Sequence, residues 1–372
     1  MKKLKFIDRM AQGKVSRRQM LQSAGAFGVG ALMLPKLADA AGVLTCLEWG
    51  GYDDPKYYES YLKRYGQKPN FSIFAGEEDA LAKVLAGFKA DVMHPCNYSV
   101  SRFVNAGLAV PIDTSRLSNW KDLFPSLQTA QGVVIKDQIM MAPADWGNAA
   151  IAYRPDLIDD KFKADPSWSI FYDEAYKNKV SMVDDPVAIT IGAMVGGMSY
   201  DEAYLLNGDA LKKATDNWGK RAVDVSRILW ADPTDAEQAM AAGEIVAAYS
   251  WNGLVKDLHD QGIKVAYAHP KEGYFTWFCG LTLLDSGKAD PAQAYDFIDA
   301  WLSPDTGKAL IAQGYGHSNI KSFSVANPAD VAAMGITDPV KMMEQSIVFK
   351  STPDDVQVAQ NKAWGDVKAL KL

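Results

Sequence analysis

Short apolar runs alternate with amphipathic stretches through the first half of the chain. The runs have strand length, and in the stretches between them apolar residues recur three or four positions apart, as on one face of a helix. The predicted strands cover residues 44–48, 71–74, 91–93 and 149–153. The predicted helices cover residues 55–65, 77–88 and 99–106, and a hairpin is predicted over 132–142. Strands that alternate with helices predict a parallel, doubly wound α/β sheet.

The second half of the chain repeats this pattern. Its predicted strands cover residues 180–183, 245–249, 265–268 and 281–284. Its predicted helices cover residues 187–196, 209–223, 234–242, 253–261 and 291–302, with Thr234 and Glu237 as a capping box for the third of them. No flexible linker separates the halves, which predicts two α/β lobes joined by crossover strands, with a cleft between them. We expect the first lobe at 41–147 plus about 280–320, and the second at 148–279 plus about 321–372.

The first 40 residues have the pattern of an export signal. Basic residues and the pair Arg17-Arg18 precede an apolar run over residues 24–34, and Ala38-Asp39-Ala40 provides a signal-peptidase pattern. Adjacent arginines before a Gly- and Ala-rich run are typical of a twin-arginine signal. A basic amphipathic arm or a membrane anchor is the alternative, but 11 apolar residues are too few to span a bilayer core of about 30 Å. The sequence therefore predicts a periplasmic protein that uses the twin-arginine translocase.

Composition narrows the class of protein. The 372 residues are 48% hydrophobic, which is enough for more than one core. The formal charge is −6, and the first 40 residues hold eight Lys and Arg and two acids, which leaves 31 positive against 43 negative residues. An acidic chain without a basic patch is not expected to bind nucleic acid.

The chain has few cysteines and histidines with which to form a metal or catalytic site. Three cysteines stand far apart without a CxxC pair, which argues against zinc, iron–sulfur and disulfide-scaffold proteins. No cofactor motif or hydrolase motif occurs, and Tyr57-Tyr58 is the only adjacent tyrosine pair that a metal-binding alternative could use. An enzyme with Cys96 or Cys279 as nucleophile and His94 or His317 as base is another alternative. We expect no catalytic site, no metal and no cofactor.

Aromatic residues cluster where predicted strands end. They are Trp49, Tyr52, Tyr98, Trp146, Trp251 and Trp277. In open α/β sheets, ligands bind beyond the carboxyl ends of strands. Ring faces attract a cation by about 0.5–2 kcal/mol each, and Asp145 and Asp185 are candidate counter-ions. The pattern predicts a cleft that binds an organic cation with an apolar body.

Six motifs follow one another through the chain and resemble a known family. They are Glu48-Trp49-Gly50-Gly51-Tyr52, Ala90-Asp91-Val92 leading to Pro95 and Tyr98, Trp146-Gly147, Val183-Asp184-Asp185, Trp251-Asn252-Gly253, and Pro270-Lys271-Glu272-Gly273 leading to Trp277. In these the chain resembles the periplasmic spermidine/putrescine-binding proteins of ABC importers. The resemblance implies a two-lobed binding fold that closes over its solute and delivers it to an ABC permease in the inner membrane. We expect the protein to be a monomer.

The resemblance carries over to the binding residues only in part. The aromatic positions that match are Trp49, Tyr52, Tyr98, Trp251 and Trp277, and Asp185 matches a carboxylate that holds an amine. Cys96 stands where the family has a hydroxyl residue, whereas Ala188 and Cys279 stand where polyamine binders have acids. A second ammonium without a partner would cost several kcal/mol, so a ligand with one positive centre is favoured. A zwitterion such as a betaine or an amino acid derivative remains an alternative, and Asp145 could replace a lost acid and keep a polyamine possible.

Overall fold

Residues 42–74, 76–285 and 287–369 are described by a computed structural model. The predicted twin-arginine signal therefore lies outside the described residues. The described residues from Leu44 onward fold as one compact unit. In the described ranges, no helix is both long enough and apolar enough to cross a membrane.

The strands of the described chain are as follows. They are β1 (Thr45–Trp49), β2 (Asn70–Phe74), β3 (Val92–Met93), β4 (Ala109–Val110), β5 (Val134–Ile135), β6 (Gln138–Ile139), β7 (Ala142–Tyr153), β8 (Val180–Val183), β9 (Ser226–Trp230), β10 (Ala247–Trp251), β11 (Ala266–Ala268), β12 (Phe275–Leu284), β13 (Gly316–His317) and β14 (Ile347–Val348).

Helices connect these strands and follow the last long one. They are α1 (Glu59–Tyr65), α2 (Glu77–Leu85), α3 (Val100–Asn105), α4 (Pro125–Gln128), α5 (Asp160–Ala164), α6 (Val187–Val195), α7 (Tyr200–Ala203), α8 (Gly208–Ala214), α9 (Lys220–Val225), α10 (Pro233–Ala241), α11 (Asn252–Asp260), α12 (Pro291–Trp301), α13 (Pro304–Ile311), α14 (Ser322–Val325), α15 (Pro328–Ala333), α16 (Pro339–Gln345) and α17 (Asp354–Lys368).

One sheet runs through the protein in the order β2-β1-β3-β12-β7-β10-β8-β9. Its two ends, β2-β1-β3 and β10-β8-β9, are parallel, as the alternation of strands and helices predicted. The long strands β7 and β12 lie antiparallel to each other in the middle and join the two ends. The first lobe is built on β1–β4 and the second on β8–β11, so the predicted two-lobed α/β fold is confirmed.

Each lobe has its own apolar core, as the length of the chain predicted. In the first lobe, Tyr58 and Tyr61 pack with Phe297 and Trp301 of α12. Both members of the Tyr57-Tyr58 pair are fully buried, which places them in the core rather than at a metal site. The core of the second lobe surrounds β8 and β10 and includes α6 and Trp364 of α17.

Several element boundaries differ from the sequence prediction. Asp232, not Thr234, caps α10: its carboxylate accepts the Thr234 N–H, and Pro233 occupies the first helical position, where its missing N–H costs nothing. The strand predicted at 245–249 lies two residues later, at β10. The strand predicted at 281–284 begins at Phe275, because β12 continues from one lobe into the other.

Candidate ligand-binding cleft

A cavity of about 1130 Å³ lies between the two lobes. Residues of both lobes form its walls. Nine of the ten predicted site residues line it: Trp49, Tyr52, Cys96, Tyr98, Asp145, Asp185, Trp251, Trp277 and Cys279. The ends of the parallel strands therefore bring most of the predicted residues to one place, although they lie up to 230 residues apart in the chain.

Aromatic residues of the first lobe are held by specific contacts. The indole N–H of Trp49 donates to the carbonyl of His94 at 2.8 Å, and its ring packs against Phe74. The hydroxyl of Tyr52 donates to Asp145 Oδ2 at 2.8 Å. Tyr98 is 41% exposed, so its ring is open to the solvent in the cleft. These contacts fix two rings in the wall and leave Tyr98 accessible.

The second lobe contributes Trp251 and Asp185. Trp251 is 39% exposed at the end of β10 and makes an edge-to-face contact with Trp230. Asp185 precedes α6, and its Oδ1 accepts the Val187 N–H at 2.8 Å. Burial among the cleft walls raises the pKa of Asp185, although its carboxylate is open to the solvent in the cleft. A carboxylate placed in this way favours a ligand that brings a positive charge.

Trp277 lies on β12, in the strand segment that joins the lobes. Its ring lies against Gly147, where a Cβ atom would approach the indole to 2.4 Å, so glycine at position 147 is required by packing. The indole N–H of Trp277 is buried and has no hydrogen-bond partner among the described residues. An unpaired buried donor costs about 1–3 kcal/mol. An acceptor on a ligand would relieve that cost.

Trp146 is the one predicted site residue that does not line the cavity. Its side chain is fully buried in a third apolar cluster, and its indole N–H donates to the carbonyl of His317 at 2.9 Å. Its neighbours in β7 point the other way because side chains alternate along a strand. The prediction of Trp146 as a ligand contact is therefore wrong.

Cys96 and Cys279 form a disulfide bond in the cavity wall. The two residues are also paired as an antiparallel bridge between the loop after β3 and strand β12. Cys46 is the free cysteine of the described chain, and it is buried. The sequence analysis considered Cys96 and Cys279 singly, as alternative nucleophiles, and 183 positions lie between them. In this disulfide neither sulfur is available as a nucleophile.

A buried charged cluster extends inward from Asp145 in the cavity wall. His94 Nδ1 lies 2.9 Å from Glu48 Oε2, and His94 Nε2 lies 2.9 Å from Asp145 Oδ1. Burial by itself would lower the pKa of His94, but the two carboxylates outweigh it and raise the pKa to about 10. His94 is therefore a cation at neutral pH and donates to both acids. Asp145 is thus already paired, with one oxygen engaged by His94 and the other by Tyr52.

His317, the other candidate base, is also part of the protein interior. Its two ring nitrogens bond with the Ser322 hydroxyl at 2.7 Å and the Trp301 carbonyl at 2.9 Å. Burial lowers its pKa to about 4. Both ring nitrogens of His94 and of His317 are hydrogen-bonded inside the fold, so neither histidine has a free nitrogen for proton transfer.

Glu77 is a cavity residue that the sequence analysis missed. It is the first residue of α2, and its Oε1 accepts the backbone N–H of Cys96 at 2.6 Å. Its Oε2 is buried and has no hydrogen-bond partner within the described ranges. Burial raises the pKa of Glu77, and hydrogen bonds with the Cys96 amide and the Ser99 side chain offset this rise only in part. The only signal in the sequence is an acid shortly after β2, which is also an ordinary helix start.

Two of the recognised motifs have structural roles. The side chain of Asn252 accepts the Asn148 N–H and donates to the carbonyl of Met334, so it ties α11 to β7. Glu272 accepts hydrogen bonds from the Ser167 hydroxyl and the Trp168 N–H. Neither side chain reaches the cavity. The described residues contain no cluster of His, Cys, Asp and Glu that could hold a metal ion.

Comparison with known proteins identifies the family. Residues 56–335 match the model of the family described as bacterial extracellular solute-binding protein. The chain belongs to this family. It is a periplasmic solute-binding protein, of the kind that serves ABC importers, and the predictions of family, role and location are confirmed.

Curated relatives and solved structures agree with this assignment. The solute-binding protein is 24% identical over 346 residues to the putrescine-binding periplasmic protein SpuD of Pseudomonas aeruginosa, covering 88% of this chain and 92% of that one. It is 23% identical to the putrescine-binding periplasmic protein PotF of Escherichia coli, covering 92% and 96%. The spermidine/putrescine ABC transporter substrate-binding protein PotD of Streptococcus pneumoniae has the same fold, with a TM-score of 0.75, 18% identity and coverage of 89% and 100%.

Proposed function

We propose that this solute-binding protein is the receptor of an ABC importer for a small organic ligand with a positively charged amine. The observation that carries the proposal is the composition of the cavity. Exposed aromatic rings of both lobes, Tyr98 and Trp251, face the same space as the carboxylate of Asp185. Rings cover the apolar part of such a ligand and attract its cation, and the carboxylate accepts its hydrogen bonds.

The number of positive centres on the ligand is limited by the acids of the cavity. Ala188 is buried in the first turn of α6, and Cys279 is paired with Cys96, so the two positions where polyamine binders have acids offer no charge here. Asp145 is paired with His94. We therefore favour one positive centre over a long triamine such as spermidine.

A zwitterion is the second candidate, and one observation favours it. The indole N–H of Trp277 lacks an acceptor, and the guanidinium-bearing residue Arg102 lines the same cavity. A carboxylate or hydroxyl oxygen on the ligand would accept from Trp277. An amino acid derivative would then bind Asp185 through its ammonium group and Trp277 or Arg102 through its carboxylate.

Calorimetric titration with a matched series of ligands tests the proposal. Putrescine, 4-aminobutan-1-ol and 4-aminobutanoate share one ammonium and one chain length, and they differ at the other end in a cation, a hydroxyl or a carboxylate. We expect micromolar or tighter binding of at least one member, and weaker binding of putrescine than of the alcohol. Millimolar or absent binding of all three would refute the amine receptor. Spermidine is titrated in parallel, and submicromolar binding of it would refute the single positive centre.

The proposal extends to the partners and to the movement of the lobes. The predicted signal would bring the folded chain to the twin-arginine translocase, and the loaded monomer would dock on a permease in the inner membrane. The lobe boundaries predicted from the sequence would meet at β7 and β12. The proposal includes no catalytic step, because Cys96 and Cys279 are joined to each other.

A further inference from the structure

Glu77 occupies a position in the cleft that the proposed function has not yet used. It begins α2 on the first lobe and lines the cavity, whereas Asp185 lines it from the second lobe. Tyr98 lies near both acids. Burial raises the pKa of Tyr98, and the charges of Glu77 and Asp185 raise it further, in that order. The two carboxylates therefore act on the same part of the cleft.

The hydrogen bonds of Glu77 are incomplete. Oε1 is held by the Cys96 N–H at 2.6 Å, whereas buried Oε2 has no donor in the described part of the protein. The residue as a whole is only partly buried, because its side chain forms part of the cavity wall. A carboxylate with one oxygen fixed and one without a donor is prepared to accept a hydrogen bond from a group that enters the cavity.

The other acid of the first lobe is not available for this role. Asp145 Oδ1 bonds with His94 and Oδ2 with Tyr52, and His94 adds a positive charge beside it. A ligand cation next to Asp145 would meet the field of His94. Near Glu77 a cation meets a carboxylate that hydrogen-bonds with the Cys96 amide and the Ser99 side chain, while the charges of His94 and Arg102 act on it through space.

We propose that Glu77 is the specificity residue of the first lobe and accepts a hydrogen bond from the ammonium group of the ligand, opposite Asp185 of the second lobe. This inference rests on the proposed function. A cation held between carboxylates of opposite lobes also links ligand charge to closure, because only the closed cleft brings both acids to the cation.

The disulfide has a positioning role in the same proposal. Cys96 holds Glu77 through its backbone N–H, and the bond to Cys279 ties Cys96 to β12. The Glu77 carboxylate is thus connected through Cys96 to Cys279, the position from which an acid is absent. The disulfide is expected to affect binding through the placement of Glu77.

The substitution Glu77→Gln tests the assignment with putrescine, 4-aminobutan-1-ol and n-butylamine as probes. The variant keeps the size of the side chain and removes its charge. We expect a 10- to 100-fold loss of affinity for each probe that binds the unmodified protein, which is the range for one charge-assisted hydrogen bond. Glu59→Gln is the matched control, because Glu59 also begins a first-lobe helix but is exposed outside the cavity. The affinity of this variant for each probe should stay within twofold of that of the unmodified protein.

The outcomes separate this inference from the proposed function. If the unmodified protein binds an amine and Glu77→Gln binds it within twofold, Glu77 is not the specificity residue and the amine receptor stands. If neither these probes nor 4-aminobutanoate bind the unmodified protein, the amine receptor is refuted and the role of Glu77 with it. Glu77→Asp is the second variant: it keeps the charge and should retain more affinity than Glu77→Gln.

A double-mutant cycle tests the role of the disulfide. Cys96→Ser with Cys279→Ser is introduced into the unmodified protein and into Glu77→Gln, and affinity for the same probes is measured in folded samples. We expect the serine pair to lower probe affinity at least fivefold in the unmodified protein and less than twofold in Glu77→Gln. The reason is that the effects of substitutions at interacting residues do not add. Equal losses in both backgrounds would show that the disulfide does not act through Glu77.

Discussion

His94 Nε2 lies 2.9 Å from Asp145 Oδ1, and both side chains are buried, with Asp145 in the wall of the cleft and His94 behind it. The same imidazole bonds with Glu48 through Nδ1. Sequence analysis named Asp145 as a candidate counter-ion for a ligand and His94 as the base of an alternative enzyme. Their pairing assigns both to the framework of the first lobe, where they hold Tyr52 in position.

Stability should depend on pH through His94. Its pKa is raised to about 10 in the folded protein, against an ordinary value near 6.5 in the unfolded chain. The contribution of charged His94 to the free energy of unfolding is therefore complete below about pH 6.5 and is lost as the pH rises toward 10. We expect the free energy of unfolding to fall over this range by up to about 1.4 kcal/mol per pH unit. Urea titrations at pH 6.5 to 9.5 measure it, and a flat profile would contradict a charged His94.

Removal of His94 should destabilise the protein strongly. His94→Ala leaves Glu48 and Asp145 buried without their shared partner, which typically costs about 3–5 kcal/mol. The matched control is Lys63→Ala, which breaks the exposed pair of Lys63 and Glu59 and should cost less than about 1 kcal/mol. Chemical denaturation of both variants provides the comparison. A cost below about 1 kcal/mol for His94→Ala would show that the cluster contributes little.

Two tryptophans should separate binding from stability. Trp251 is 39% exposed in the cleft, so Trp251→Ala should reduce amine affinity by tenfold or more with a small change in stability. Trp146 is fully buried outside the cavity, so Trp146→Ala should cost about 3–5 kcal/mol of stability. Calorimetry and urea unfolding measure the two effects. The reverse pattern would place Trp146, and not Trp251, at the ligand.

Two aspartates should separate in the same way. Asp185→Asn removes a carboxylate that is open to the cleft, and we expect a 10- to 100-fold loss of amine affinity without a loss of stability. Asp145→Asn weakens the bond with His94, so we expect a lower free energy of unfolding and a smaller effect on affinity. A larger affinity loss in Asp145→Asn than in Asp185→Asn would return Asp145 to the role of counter-ion.

Reduction of the disulfide should lower stability. The bond closes a loop across 183 positions, and loss of a native disulfide typically costs about 2–5 kcal/mol. Unfolding with and without dithiothreitol measures this difference. The control is the double variant Cys96→Ser with Cys279→Ser, whose stability should not respond to the reductant. An equal response of both proteins would mean that the effect does not come from this bond.

The motifs of the sequence identified the family by resemblance. The pattern of the sequence by itself determined the two α/β lobes and placed five of the aromatic residues at the cleft: Trp49, Tyr52, Tyr98, Trp251 and Trp277. These follow from local patterns: strands and helices alternate with the periods of their side chains, and strand ends meet at one edge of a parallel sheet. The cap at Asp232 could also have been recognised, because Pro233 after an aspartate is a local signal for a helix start.

The roles of individual polar residues were decided only by the tertiary structure. Three contacts join residues that are 19 to 183 positions apart. They are the disulfide of Cys96 with Cys279, the hydrogen bond of Asp145 with His94, and the hydrogen bond of Glu77 with the Cys96 amide. No periodicity along the chain encodes such contacts. Trp146 and Trp251 look alike as aromatics near strand ends, and only the direction of each side chain in the folded sheet makes one a core residue and the other part of the cleft.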